Sequence, residues 1–109
     1  MKTLLEWLDK KQDHSKTIEF CEKRLEGAKK IAQQARAKGG VSLLTAYHFE
    51  AKLPVYRDII RKLKKGEKLD LKKQYKESLS KLSSTLNQRN FQKIAGELEV
   101  YGEVSIEYN

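Results

Sequence analysis

Nine cationic side chains crowd one stretch of the chain: Arg57, Arg61, Lys62, Lys64, Lys65, Lys68, Lys72, Lys73 and Lys76. Cations at this density attract polyanions by releasing condensed counterions and by steering their approach. Within the stretch, Arg61, Lys62, Lys64, Lys65, Lys68, Lys72 and Lys73 are the candidate phosphate-binding residues. Bidentate recognition of guanine favours arginine, and lysine dominates here, so contact with nucleic acid without sequence specificity is expected. A solvated face is the competing reading, because Lys62, Lys64 and Lys65 fall where a helix dipole favours cations. Tyr75 is the one aromatic inside the basic run, and its helical spacing assigns it to the core, which leaves little for stacking on bases. The turn from Gly66 to Asp70 carries no residue pattern of a helix-turn-helix.

Other reactive groups are sparse. Cys21 is the only thiol, and it lies between Ile18 and Leu25 on an apolar series, where a free cysteine acts as a small hydrophobe. His14 precedes it by seven residues, about 10 Å along a helix, too far for a Cys–His pair. His48 and Glu50 stand two apart and point away from each other on a helix, and no H-E-x-x-H or E-x-x-H occurs. Glu19, Glu22 and Glu26 have helical spacing, yet Lys23, Arg24, Lys29 and Lys30 surround them, which favours exposed salt bridging over acid/base work. No glycine-rich phosphate-binding fingerprint is present. Neither catalysis, nor a metal, nor a cofactor is expected. Trp7 is the candidate anchor for a protein partner, with closure of one end of the fold as its structural alternative.

The elements that must position these groups are helices. Ile18, Cys21, Leu25, Ala28, Ala32 and Ala35, in alternating steps of three and four, predict a long helix ended by Gly39 and Gly40. A short helix from Thr3 to about Lys11 should precede it, with a break at Gln12–Ser15 where Asp13 or Ser15 caps the next. Ala46, Phe49, Leu53, Tyr56, Ile60 and Leu63 predict a helix capped by Ser42 and kinked or broken at Pro54. Gly66 should stop it. Asp70 should cap a helix carrying Leu71, Tyr75, Leu79, Leu82 and Leu86, and a last one should present Phe91, Ile94, Leu98 and Tyr101. Val104, Ile106 and Tyr108 alternate with polar residues and read as an extended tail with no strand to pair with. The expected fold is all-α: one domain over residues 1–109, a small antiparallel bundle of four to five helices with a short extended C-terminal tail.

Met1, Lys2, Thr3, Leu4, Leu5, Glu6, Trp7 and Leu8 resemble the opening of small accessory proteins of tailed phages. The resemblance implies a phage or prophage origin and, covering eight residues, transfers no site.

Composition sets the frame for all of this. The chain has 109 residues, 39% hydrophobic and 35% charged, with 23 Lys plus Arg against 15 Asp plus Glu and a formal charge of +8. That length suffices for a core without disulfides, and a single cysteine forbids an internal one, which fits a reducing compartment. No membrane-spanning segment or signal peptide is legible, so a cytoplasmic location is expected. Residues 52–81 hold eleven basic and four acidic side chains, whereas residues 82–109 hold two and four. If short turns make the helices alternate in direction, the lysines gather at one pole. The expected role is a small non-enzymatic binding protein whose partner is nucleic acid. The alternative is a protein-interaction or regulatory module, self-association included.

Overall fold

The computed structural model describes the backbone of residues 4–108 and the side chains of residues 15–108. Four helices account for it: α1 (Leu4–Lys38), α2 (Ser42–Lys64), α3 (Leu71–Leu82) and α4 (Gln88–Tyr108). No strand occurs among the described residues. The local punctuation follows simple backbone chemistry. Gly39 and Gly40 adopt φ of +66° and +58°, a left-handed conformation that other residues resist, and their carbonyls accept from the N–H groups of Ser42 and Leu43. Those bonds satisfy the opening turn of α2 without a side-chain cap. Ser42 is therefore the first residue of the helix rather than its cap, a position held by Val41. Gly66, at φ +77°, closes α2, and the Asp70 carboxylate accepts from the Lys73 N–H at 3.2 Å to open α3.

Three expectations about helix continuity are decided by the structure. First, α1 runs unbroken through Gln12–Ser15, so one helix stands where two were expected. None of those four residues is glycine or proline, and each costs under about 0.7 kcal/mol in a helix interior, too little to force an end. Second, of the kink or break expected at Pro54 the break does not occur: α2 continues through Pro54, whose ring lies on the exposed side of the helix. Third, the C-terminal segment is helix, not an extended tail. Val100 and Val104, four residues apart, are fully buried, while Ile106 is 79% exposed, so period four wins over period two.

Helices α1 and α2 form a hairpin in which Ala28, Ala32, Ala35 and Ala46 are buried, small side chains that let the two axes approach. Arg36 clamps Glu50 with two bonds of 2.5 Å near the turn, and Lys64 reaches Glu22 at 3.5 Å toward the far end. Helix α4 then lies beside α2 in the same direction: His48 and Lys52 meet Glu99, and Tyr56 meets Glu103. It runs antiparallel to α1, where Arg24 faces Glu103 and the Thr17 hydroxyl donates to the Glu107 carbonyl. Successive helices thus reverse direction, as the short turns require, and Ser78–Glu97 and Leu69–Tyr108 set α3 antiparallel to α4. Not read from the turns is that α2 and α4, parallel and two apart in the chain, pack directly on each other.

The reason is Gly96. A β-carbon there would sit 2.3 Å from the His48 carbonyl oxygen, so only glycine permits α4 to press its backbone onto α2. Helix α3 is left outside, closely approaching α4 alone. One buried cluster still links all four helices through Cys21, Tyr56, Ile59, Leu63, Leu71, Val100 and Val104. With a single neighbour, α3 cannot cover its apolar stripe. Tyr75 is 39% exposed and Leu79 46%, which corrects the assignment of both to the core, and Leu86 lies bare in the following turn.

Candidate functional site

The candidate cations occupy the last turn of α2, the connection after it and the first turn of α3. They divide by partner. Arg61 and Lys62 both bind Asp58, and Lys64 pairs with Glu22. Lys65, Lys68, Lys72 and Lys73 are exposed and have no acidic partner among the described residues. Exposed pairs such as Lys64–Glu22 contribute at most about 1 kcal/mol, so a phosphate can displace them. Burial alone would raise the Asp58 carboxyl, but hydrogen bonds from Arg61 and Lys62 hold it below its ordinary range.

Lys72 and Lys73 stand in the first turn of α3, with no acidic residue in that turn. The positive end of a helix dipole repels cations by roughly 0.3–1 kcal/mol, and Asp70 before the helix offsets part of this. Stability gives no reason for lysine at these positions. On the other side of α2, Arg57, Arg61, Lys64 and Lys65 rim a shallow groove of about 540 Å³ floored by Leu25 and Ile60. Arg57 was not among the seven candidates. Its signal was the spacing 57, 61, 64 and 65, which is one helical face.

Charge is not confined to this pole. Arg36, Lys38, Lys81, Arg89 and Lys93 lie toward the opposite end, where Arg89 sits 4.8 Å over the Tyr47 ring and Arg36 is committed to Glu50. The single pole expected from alternation is thus one of two. Lys16 is exposed, whereas Lys10, Lys11 and Trp7 fall outside the residues whose side chains are described.

A second set of titratable groups lies between α2 and α4. Lys52 is 4% exposed, with its Nζ 2.8 Å from Glu99 Oε1 and 3.8 Å from Glu103 Oε1, and 4.8 Å over the Phe49 ring. His48 Nε2 lies 2.7 Å from the other Glu99 oxygen, and the Tyr56 hydroxyl donates to Glu103 at 2.8 Å. Glu99 and Glu103 are thereby engaged by His48, Lys52 and Tyr56 of α2 and form no ion pair with the described lysines of the α2–α3 end. Burial raises the Tyr56 hydroxyl and, with Glu103 and Glu22 nearby, pushes the Cys21 thiol up to about 12. A thiol so held stays protonated at neutral pH, in keeping with a packing role. Every buried side-chain polar atom among the described residues has a partner, so the cluster satisfies itself.

Burial by itself raises the Glu99 carboxyl, but the bonds from Lys52 and His48 prevail and leave it lowered. A lowered carboxyl contributes stability that is complete above its unfolded value, about 4.3, and is lost as pH falls through the folded one. Thermal midpoints by circular dichroism should therefore be flat from neutral pH to about pH 5 and fall below it, and Glu99→Gln should flatten that acid limb.

No group of three or more His, Cys, Asp or Glu poised to hold a metal occurs among the described residues, and no described helix is long and apolar enough to cross a membrane. No protein-family model, curated protein or solved structure matches the chain.

Proposed function

We propose that the protein is a non-enzymatic binder of nucleic acid that contacts phosphates through its α2–α3 end without reading sequence. The observation that carries this reading is the placement of Lys72 and Lys73, exposed, unpaired and set against the dipole of their own helix. With Lys65 and Lys68 they form four cations able to take phosphate oxygens without breaking any ion pair. Arg61, Lys62 and Lys64 lie next to them and can exchange exposed carboxylates for phosphate. Lysine, a flexible point charge, suits a backbone recognised by charge alone.

Salt titration tests this directly. Four phosphate contacts on duplex DNA give a slope near −3.6 in log affinity against log salt, so affinity should fall roughly 100-fold between 50 and 200 mM. Replacing Lys65, Lys68, Lys72 and Lys73 together by glutamate should abolish binding, while the circular dichroism spectrum stays helical. Affinity indifferent to salt and to these changes would instead favour a protein-interaction module. The open apolar face at Tyr75 and Leu79 supports that second reading.

A further inference from the structure

We propose that the groove between α3 and α4 seats an unpaired base, with Tyr75 as the stacking platform, so that the polyanion bound is a single strand. This rests on the nucleic-acid reading above and adds the class of ligand.

Lys72, Tyr75, Lys76 and Leu79 follow one another at steps of three, one and three, which is a single stripe along α3. That stripe forms one wall of a groove of about 780 Å³, and Gly102 and Ser105 of α4 lie opposite. Glycine and serine leave room where larger side chains of α4 would have closed the space. A β-carbon on Gly102 would meet nothing within 4 Å. The lining is mainly apolar, the one partly exposed aromatic of the basic run stands in it, and lysines flank that ring on both sides in sequence. Asp70 is the acid in the lining, and its carboxylate is engaged by the Lys73 N–H.

Three occupants can be compared by chemistry. A second copy of the chain would bring Lys72 and Lys76 against like charges on a molecule of formal charge +8. An acidic polypeptide would satisfy the lysines but offers no flat ring to the tyrosine. A single strand supplies both: bases with exposed π-faces and phosphates on either side of each base, the pairing of aromatic platform and cationic track used for unstacked nucleic acid. In a duplex the bases are stacked on one another and closed to Tyr75, leaving phosphate contacts only.

The test compares a labelled oligodeoxythymidylate, a duplex of equal length and polyglutamate by fluorescence anisotropy at low salt. The single strand should bind more tightly than either competitor. Tyr75→Ala should weaken it about tenfold and leave the duplex unchanged, with Tyr75→Phe restoring affinity because the ring alone stacks. Gly102→Leu, which fills the groove from α4 without touching a lysine, should reproduce the Tyr75→Ala pattern. Equal affinity for single strand and duplex, or equal losses on both in Tyr75→Ala, overturns the base site and leaves the phosphate reading standing. Polyglutamate bound as tightly as the single strand overturns it in favour of an acidic polypeptide. Absence of binding to either nucleic acid overturns both proposals together.

Discussion

Gly96→Ala should destabilise the protein by about 2 kcal/mol, seen as a fall of roughly 10 °C in the thermal midpoint. In an ordinary helix interior the same change gains up to about 1 kcal/mol, because alanine has less backbone freedom to lose. Here the added carbon would stand 2.3 Å from the His48 carbonyl oxygen, and a backbone atom cannot swing aside as the tip of a side chain can. Either α4 retreats from α2 or α2 bends. Both responses strain the bonds from Lys52 and His48 to Glu99, which depend on the same approach. The companion change Gly27→Ala separates propensity from contact, since an exposed β-carbon on α1 meets nothing within 4 Å. Gly27→Ala should raise the midpoint by a few degrees. Two glycine-to-alanine changes in helices of one molecule then have opposite signs, and a stabilising Gly96→Ala would show that the α2–α4 spacing has another origin.

Gly96 also marks where the sequence stops being readable by local rules. Gly39, Gly40, Gly66 and Asp70 act on their own neighbours, so the ends of α1 and α2 and the start of α3 can be read from residue type and spacing. The apolar series of α1 is legible for the same reason, as Cys21, Ala28, Ala32 and Ala35 are all buried. What could not be read depends on partners far away in the chain. Asp13 and Ser15 are good caps, yet nothing local compels a helix to end at them. Val104, Ile106 and Tyr108 alternate convincingly, and only the fit of Val100 and Val104 against α1 and α2 selects a helix. Tyr75 and Leu79 have core spacing, but burial needs a second neighbour, and the α2–α4 contact takes the place that would have supplied one. The basic run was legible as composition, whereas the division into paired and unpaired cations needed Asp58 and Glu22 to be placed.

Lys52 is the sharpest instance of a residue whose role is invisible locally, and replacing it by methionine should cost about 3 kcal/mol at neutral pH. A lysine in the middle of a helix reads as solvated surface, but this one is 4% exposed and held between Glu99 and Glu103, which lie 47 and 51 positions further along. Methionine keeps much of the stem, so packing loss is small and the effect is chiefly electrostatic, loss of the ammonium over the Phe49 ring included. The loss belongs near the lower end for a broken buried pair, because the Glu99 side chain is 44% exposed and water screens part of its charge. Without the ammonium, the desolvation that already opposes ionisation of Glu99 is balanced only by His48. Its folded-state value should then rise relative to the native protein. The sign of the pH dependence follows: the native protein loses stability as pH falls through the lowered Glu99 carboxyl, while Lys52→Met loses less or gains. Urea midpoints of the two proteins should differ most at pH 7 and converge toward pH 4. Adding Glu99→Gln should recover part of the loss at pH 7, since the orphaned charge is then gone, and the double variant should be more stable than the sum of the single changes implies. A gap between native and Lys52→Met that is constant with pH would mean that shape, not charge, gives Lys52 its place between α2 and α4.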